Sequence, residues 1–442
     1  MSPRLVRTLL AALLLPGLWG GAGCAGGPRA LMPTPTIFQE VEAAAAIFAA
    51  VPPARREPAQ DLLFITNRAP ATDGPLPYGE RRSMSLAFGS AQVLMRPGLT
   101  WEALTQLSQS GERSPRVSLE LGPVREVGRF PEEPYRLNMT PAGVVRDAAM
   151  LAAHRQARDD LRTEVRRRLQ AAPSGKVILY VHGFNETLAS AAYTAAELCH
   201  FFGRTHLCAF FTWPASSTGN LLTSFTQTTE SAQFSVGHLR QTIRALAQIP
   251  EVEGIHLLAH SRGAALLLSA LRELHIEAIA AGQAPAEAFK IEQVVLMSAD
   301  IDAEVASQQI LIFGSDPDML TRWDRPVLPE LFRGRLTVYT SPQDRALLVS
   351  RTLFRSGNRI GQLTPEQIRP SFIDLFDRFG RMDLVVYEGR RTDFFGHSSF
   401  TSNPRVSADL VELIRNGSAP DDPARNLIST GPISWGFPQE VR

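Results

Sequence analysis

Short apolar runs alternate with amphipathic stretches through the middle of the chain, and this alternation predicts the fold class. The runs Lys176–Val181, Leu207–Thr212 and Ile255–Ala259 have the length and the β-branched or aromatic content of buried strands. Helical patterns over Thr187–Phe202 and Ser231–Ala247 separate them. Such alternation is typical of an α/β protein with a mostly parallel central sheet flanked by helices.

The same pattern extends in both directions from this central region. Gly263–Leu274 predicts a helix immediately after the third run. Further strands are predicted over Val294–Ser298, Leu336–Thr340 and Leu384–Tyr387, the last of which closes the predicted sheet. Before the central region, Arg146–Leu169 repeats apolar residues at helical spacing.

The N-terminal part of the predicted domain has a different pattern. Asp61–Thr66 predicts the first buried strand, and Met84–Met95 and Val117–Val127 predict antiparallel strands between Pro- and Gly-rich loops. Residues 24–60 are interrupted by prolines and predict a linker with one short Ala-rich helix over Ile37–Val51. We therefore predict one domain over residues 61–442.

The first residues have the layout of an export signal, which we assign to residues 1–23. Arg4 and Arg7 precede the apolar run Leu9–Leu18, which is too short to span a bilayer, and small residues lead to Cys24. Gly-Ala-Gly-Cys resembles a bacterial lipobox, although Gly21 stands where leucine is usual. We predict a lipidated Cys24 and a location in the cell envelope; a soluble secreted protein and a retained anchor are the alternatives.

Composition and charge exclude several classes of function. Hydrophobic residues form 44% of the chain and the net charge is +1, which provides core material but no basic surface for nucleic acid. The sequence has no P-loop and no dinucleotide-binding glycine pattern, so we expect no cofactor. The oligomeric state is not predicted.

Two cysteines follow Cys24 in the sequence. We expect Cys199 and Cys208 to be buried thiols, with a disulfide as the alternative in an exported protein. Together with His200 and His206 they have the residue types of a zinc site, but their spacing does not form a zinc knuckle. We therefore predict no metal.

Ala259–Gly263 (AHSRG) lies between a predicted strand and a predicted helix, the setting of a nucleophile elbow. Ala259 and Gly263 are small enough for the tight turn, and the helix directs its N-terminal dipole toward developing negative charge. This context favours Ser261 as a nucleophile over a serine that only caps the helix.

The loop after Lys176–Val181 is the predicted oxyanion loop. Gly183 permits close approach of the backbone, and the N–H groups of Phe184 and Arg262 are the expected donors to an oxyanion. We expect the His182 side chain to brace this loop.

A catalytic serine requires a histidine base and a carboxylate that orients it. His397 follows the last predicted strand, whereas His275 follows the elbow helix too closely in the sequence. Asp344 follows the strand Leu336–Thr340 and is the favoured acid, and Asp300, one strand earlier, is the alternative.

These residues resemble a family of mostly bacterial α/β-hydrolases, largely catalogued as a domain of unknown function and loosely described as esterase- or lipase-like. The resemblance covers residues 61–407 and rests on VHGFN at Val181–Asn185, WP at Trp213–Pro214, AHSRG at Ala259–Gly263, ADID at Ala299–Asp302, YTSPQDRAL at Tyr339–Leu347, RIGQL at Arg359–Leu363 and FGHSSF at Phe395–Phe400.

The resemblance implies the α/β-hydrolase fold and the same triad, Ser261, Asp344 and His397. Arg262 departs from the methionine that is common in the family after the serine, and this departure concerns the substrate pocket. We predict a serine hydrolase acting on a small-molecule or lipid ester. An acyltransferase with the same triad and a non-enzymatic binding module on the same fold are the alternatives.

Overall fold

The computed structural model describes residues 27–215, 220–311, 330 and 332–439. Its strands are β1 Arg29–Ala30, β2 Ala59–Pro70, β3 Tyr78–Arg96, β4 Ser118–Arg129, β5 Leu137–Thr140, β6 Gly143–Arg146, β7 Lys176–Val181, β8 Leu207–Thr212, β9 Gly254–His260, β10 Ile291–Met297, β11 Leu336–Thr340, β12 Met382–Val386, β13 Ile428–Gly431 and β14 Ser434–Gly436.

The α-helices are α1 Val41–Ala49, α2 Trp101–Ser108, α3 Ala148–Leu169, α4 Leu188–Phe201, α5 Leu221–Ala247, α6 Arg262–Ala280, α7 Pro285–Phe289, α8 Ala303–Leu311, α9 Arg345–Phe354, α10 Pro370–Phe379, α11 Ser399–Ser402 and α12 Pro404–Asn416. No helix in the described part of the chain combines the length and hydropathy needed to cross a bilayer.

Within the described residues, twelve strands form one sheet in the order β1-β4-β3-β2-β8-β7-β9-β10-β11-β12-β14-β13. The strands from β2 through β14 in this order pair in parallel, and the pairs at both edges are antiparallel. Strands β5 and β6 form a separate hairpin. The mostly parallel sheet with antiparallel N-terminal strands is confirmed.

Both faces of the central strands are buried, because side chains along these strands alternate between two cores. In β7, Val177 and Leu179 pack with the apolar sides of α3, α5 and α6, whereas Ile178 and Tyr180 pack with α1, α2, α4 and α12. This arrangement explains why β7 is apolar without interruption.

Several boundaries agree with the sequence predictions and others do not. The bounds of β7, β8 and β11 are those predicted. Helix α5 begins at Leu221 rather than Ser231, and Leu384–Tyr387 is not the last strand, because β14 pairs beside β12.

The linker prediction for residues 24–60 is wrong for the described part of that segment. Phe38 is fully buried, and its ring centroid lies 5.1 Å from those of Phe48 and Phe201. Arg29 pairs with Glu197 at 2.5 Å. The prolines indicated a linker, but the apolar residues between them belong to the core on the α4 side of the sheet.

The expectation of free thiols at Cys199 and Cys208 is also wrong. The two sulfurs form a disulfide that joins the end of α4 to β8. Because both residues lie at the ends of the short α4–β8 connection, the fold brings their Cα atoms to 6.2 Å, a separation that a disulfide can span.

Candidate active site

Ser261 occupies a sharp turn between β9 and α6. Its φ of 54° and ψ of −124° place a non-glycine residue in a conformation that only tight surroundings maintain. The backbone N–H of Ser261 donates to the Met297 carbonyl (3.0 Å), and the Asp300 N–H donates to the Ser261 carbonyl (3.0 Å). The turn is therefore held by the end of the neighbouring strand β10.

Two glycines allow the oxyanion loop to lie directly on this turn. A Cβ at Gly263 would lie 2.3 Å from the His182 carbonyl oxygen, and one at Gly183 would lie 2.7 Å from the Ser261 Cβ. Side chains at either position would separate the loop after β7 from the nucleophile, which explains the need for glycine.

A continuous hydrogen-bonded chain joins the three residues predicted as the triad. The Ser261 hydroxyl lies 2.8 Å from Nε2 of His397, and Nδ1 of His397 lies 2.7 Å from Oδ2 of Asp344. The other carboxylate oxygen of Asp344 accepts the Leu347 N–H at the start of α9 (3.0 Å). This N-cap fixes the carboxylate toward the histidine.

The groups around His397 stabilise its protonated, positively charged form relative to the neutral form. Burial, the largest single influence, lowers the pKa of His397, but the carboxylates of Asp344, Asp300 and Asp393, with Asp344 first among them, together raise it above the ordinary value of 6.5. Burial raises the pKa of Asp344, and His397 acts in the opposite direction. The acid side chain is completely covered, whereas that of His397 retains 17% exposure.

The side chain of His182 holds the oxyanion loop in place by stacking on an aromatic ring. The ring of His182 stacks on Trp213 at 5.2 Å with an interplanar angle of 4°. Its Nδ1–H donates to the Gly183 carbonyl, and its Nε2 accepts the Trp213 N–H. Burial, followed by the nearby Arg68, holds the pKa of His182 well below its usual range, so the ring is neutral.

The predicted oxyanion donors lie on two adjacent elements. Phe184 directly follows Gly183, which contacts the Ser261 turn, and Arg262 is the first residue of α6. The N–H of a first helical residue has no acceptor within its own helix. Both N–H groups therefore belong to backbone that lies against Ser261.

Asp300, the alternative acid, belongs to a different network. Its carboxylate accepts the Ser350 hydroxyl at 2.6 Å and pairs with Arg262 (2.8 Å) and Arg359 (3.3 Å). The two arginine contacts are ion pairs by distance but lack hydrogen-bond geometry. His397 is hydrogen-bonded to Asp344 and not to Asp300.

Residues 157–416 match the family described as alpha/beta hydrolase of unknown function (DUF900). The chain belongs to this family. The match covers more than half of the sequence and contains the elbow, Asp344 and His397.

Solved structures with low similarity include MenH from S. aureus, carboxylesterase CesB from Bacillus subtilis and an esterase from Pyrobaculum calidifontis. Their identities are 9%, 12% and 12% and their TM-scores 0.28, 0.25 and 0.27. The matches cover 54%, 55% and 94% of this chain and 92%, 85% and 99% of theirs. At these scores they carry no argument about function. The comparison with curated proteins finds no match.

In this family member, two residues that the sequence analysis missed hold the histidine loop. The carboxylate of Asp393 accepts the N–H groups of Phe395, Gly396, His397 and Ser398. An aspartate just before a Gly-containing loop is the available signal, because Asp side chains commonly bond backbone groups a few residues ahead.

The second missed residue is His260, which precedes the nucleophile. Its Nε2–H donates to the His397 carbonyl (3.1 Å), and the two rings lie 4.8 Å apart. Burial, followed by repulsion from His397, lowers the pKa of His260 to about 3, so it remains neutral. It therefore positions the loop without adding charge.

The RIGQL motif fixes the turn that carries Asp344. A Cβ at Gly361 would lie 2.5 Å from the Ala299 nitrogen, so this loop passes tightly between β10 and α9. The Gln362 side chain donates to the Asp344 carbonyl at 2.6 Å, and the Ser341 N–H donates to the Gly361 carbonyl.

Two aromatic side chains lie against the Arg262 guanidinium next to the nucleophile, and a third contacts one of them. The ring centroids of Phe225 and Phe354 lie 5.6 Å and 4.9 Å from it, and the ring of Phe184 lies 4.7 Å from that of Phe225 at an interplanar angle of 39°. Phe354 retains 37% exposure. The residue after Ser261 thus carries a cation that pairs with Asp300 and lies against two aromatic rings.

The remaining predicted positions concern lipidation and metal. Cys24 lies outside the described residues. Among residues that the structure describes, no cluster of three or more His, Cys, Asp or Glu side chains is arranged to hold a metal ion. The sulfurs of Cys199 and Cys208 are bonded to each other and do not serve as thiolate ligands.

Proposed function

We propose that this α/β-hydrolase family member is an exported serine hydrolase that cleaves carboxylic esters through an acyl-enzyme. The observation that carries the proposal is the hydrogen-bonded chain from the Ser261 hydroxyl through His397 to Asp344, at 2.8 Å and 2.7 Å. A hydroxyl in this setting loses its proton to the imidazole as it attacks a carbonyl.

In the acylation step, Ser261 Oγ bonds to the ester carbonyl carbon while its proton passes to Nε2 of His397. The carbonyl oxygen becomes an oxyanion, for which the Phe184 and Arg262 N–H groups are the proposed donors. When the tetrahedral intermediate collapses, the bond to the alcohol oxygen breaks, and the alcohol leaves with the proton from His397.

In the deacylation step, water replaces the alcohol. His397 takes a proton from the water, and the hydroxide bonds to the acyl carbon. Collapse breaks the bond to Ser261 Oγ, which regains its proton from His397, and the carboxylic acid is released. Asp344 stays ionised and holds Nδ1–H of His397 throughout, consistent with its position as the N-cap of α9.

Two features support the export part of the proposal. Residues 1–24 carry the signal and lipobox-like pattern. The disulfide between Cys199 and Cys208 belongs to the kind of bond that persists in oxidising compartments and is rare in the cytosol. An envelope location with Cys24 as a lipid attachment site fits both.

The test is hydrolysis of p-nitrophenyl esters of increasing acyl length by the wild type and by Ser261→Ala. We expect Ser261→Ala to lower kcat by about 10⁴-fold or more, as in other triad enzymes. The matched control is Ser269→Ala on the same helix, whose hydroxyl donates to the Ala265 carbonyl, and this variant should keep wild-type activity.

A fluorophosphonate probe separates an inactive serine from an unsuitable substrate. We expect it to label the wild type and Ser269→Ala but not Ser261→Ala. Full ester turnover by Ser261→Ala, or a failure of the wild type to label, would exclude the proposed mechanism.

A further inference from the structure

A cavity of about 440 Å³ lies beside Asp344. Its walls come from the turn after β11, from α9 and the loop that follows it, and from the loop after β12. We call it the arginine pocket, because Arg345, Arg351 and Arg391 line it. Neither Ser261 nor His397 belongs to its lining.

The pocket lining carries three arginines and one carboxylate, Asp344, within the part of the chain that the structure describes. Among residues 27–215, 220–311, 330 and 332–439, none of the three forms an ion pair. Arg351 donates to the neutral amide oxygen of Asn358 (3.0 Å). The carboxylate in the lining, Asp344, is fully covered and directed to His397.

This charge arrangement favours an anion in the cavity. Three positively charged side chains along one concave surface raise the electrostatic potential there, which attracts anions. Guanidinium forks match the oxygens of carboxylates and phosphates, which accept two parallel N–H bonds. The N-terminus of helix α9 at the same wall is already capped by the Asp344 carboxylate, so the guanidinium groups supply the positive charge.

We propose that the arginine pocket is a binding site for an oxyanion of the phosphate or carboxylate class. Its occupant lies next to groups that hold the triad. The Arg345 N–H donates to the Phe395 carbonyl in the histidine loop (2.8 Å), and Gln362 in the lining donates to the Asp344 carbonyl. The Arg391 side chain covers Gly396, which precedes the histidine.

Binding is measured directly by calorimetric titration of the full chain with inorganic phosphate, against sodium chloride at equal ionic strength. We expect saturable one-site binding to the wild type. In the double variant Arg351→Gln/Arg391→Gln the dissociation constant should rise about tenfold or more for each lost charge-assisted contact. Arg96→Gln, an exposed arginine on β3 paired with Glu120, is the matched control and should bind like the wild type.

Circular dichroism tests the fold of each variant, and Arg351→Lys/Arg391→Lys keeps the charge if the glutamine variant does not fold. The lysine variant should bind phosphate more weakly than the wild type but more tightly than the glutamine variant. Titration heat that does not saturate with phosphate would overturn the proposal. Equal dissociation constants for phosphate in the double variants and in Arg96→Gln would do the same. This measurement needs no turnover, so its result is independent of the esterase proposal.

A second arm identifies the source of the anion. If the pocket holds an anionic part of the substrate, phosphate will raise KM for a p-nitrophenyl monoester of glutaric acid and leave KM for p-nitrophenyl butyrate unchanged. If the pocket holds a separate ligand, phosphate will change kcat for both esters. Either result supports anion binding in the arginine pocket. Whichever effect of phosphate is observed must be absent in Arg351→Gln/Arg391→Gln.

Discussion

At the scale of single residues, the site depends on how closely two backbone segments approach. Ser261 lies in a conformation that costs on the order of 1–3 kcal/mol for a non-glycine residue, and hydrogen bonds to β10 and to the Asp300 backbone maintain it. Gly263 lets the carbonyl of His182 approach the start of α6. The strained backbone of Ser261 therefore lies beside the close contact at Gly263 that brings the oxyanion loop to the nucleophile.

Replacing this glycine tests that contact. Gly263→Ala should lower the free energy of unfolding by about 1–3 kcal/mol, as overpacking does, and should also reduce ester turnover because the oxyanion loop is displaced. Gly237→Ala is the matched control in α5, where a Cβ meets no atom within 4 Å. It should stabilise by up to about 1 kcal/mol through helix propensity. Urea unfolding measures both, and equal effects at the two positions would refute the close-packing explanation.

The pH dependence follows from His397, which must be neutral to accept a proton. Since the pKa of His397 is raised above 6.5 by Asp344, kcat/KM should fall as the pH drops through a midpoint above 6.5. Asp344→Asn should move that midpoint to lower pH and reduce kcat about 10³–10⁴-fold.

The control for this pH profile is Asp73→Asn, a change to an exposed acid in the loop between β2 and β3. It should leave both midpoint and rate unchanged. A midpoint that stays in place in Asp344→Asn would show that another group controls the acid limb.

At the scale of elements, the disulfide fixes the connection between α4 and β8. Its cysteines are nine positions apart and almost fully buried. Replacing both with alanine should lower the free energy of unfolding by about 2–3 kcal/mol, because closing a loop of this length removes that much chain entropy from the unfolded state.

Urea unfolding with and without dithiothreitol measures this contribution. The double alanine variant should unfold at the same urea concentration under both conditions, whereas the wild type should unfold earlier once reduced. Equal midpoints for the oxidised wild type and the variant would mean that the disulfide contributes no stability.

The central elements were predictable because their pattern is local. Strands β7, β8 and β11 are apolar runs bounded by polar residues or turns, and their bounds agree with the prediction. The start of helix α5 was predicted too late in the sequence, because its first turns are rich in Thr and Ser. There, hydroxyls such as those of Thr226 and Thr229 donate to carbonyls four residues earlier, which makes them compatible with a helix.

The candidate site likewise has features that the local sequence predicts and features that depend on distant residues. The order of Ser261, Asp344 and His397 along the chain, and their position after strands, are visible in the sequence. The roles of His260 and Arg359 depend on residues more than 50 positions away, with which they meet only in the folded chain. One sequence has no local signal for such contacts.

At the scale of the whole molecule, the N-terminal segment completes one of the two cores. Strand β1 pairs with β4 at the edge of the sheet, and Phe38 and Phe48 fill the core against α4. The domain therefore begins well before residue 61, where the first long apolar run had placed it.

Removing residues 1–56 should consequently destabilise the protein more than removing residues 1–26. Phe38→Ala alone should cost about 3–5 kcal/mol through the lost burial and the cavity. Thermal and urea unfolding of the two truncated proteins and of Phe38→Ala measures these differences in stability. A residue 57–442 fragment as stable as residues 27–442 would contradict the packing role of the segment.

The packed N-terminal segment also limits how far the enzyme can move from an anchor. Strand β1 starts at Arg29, five residues after Cys24. Even a fully extended chain spans no more than about 3.5 Å per residue, so these five residues span at most about 18 Å. If Cys24 carries the proposed lipid, Arg29 remains within a little more than half the thickness of the hydrocarbon core from the anchor, which keeps this edge of the sheet near the surface. The enzyme would then search for substrate in two dimensions, and its access to soluble esters would depend on how the surface orients the mouth of the site.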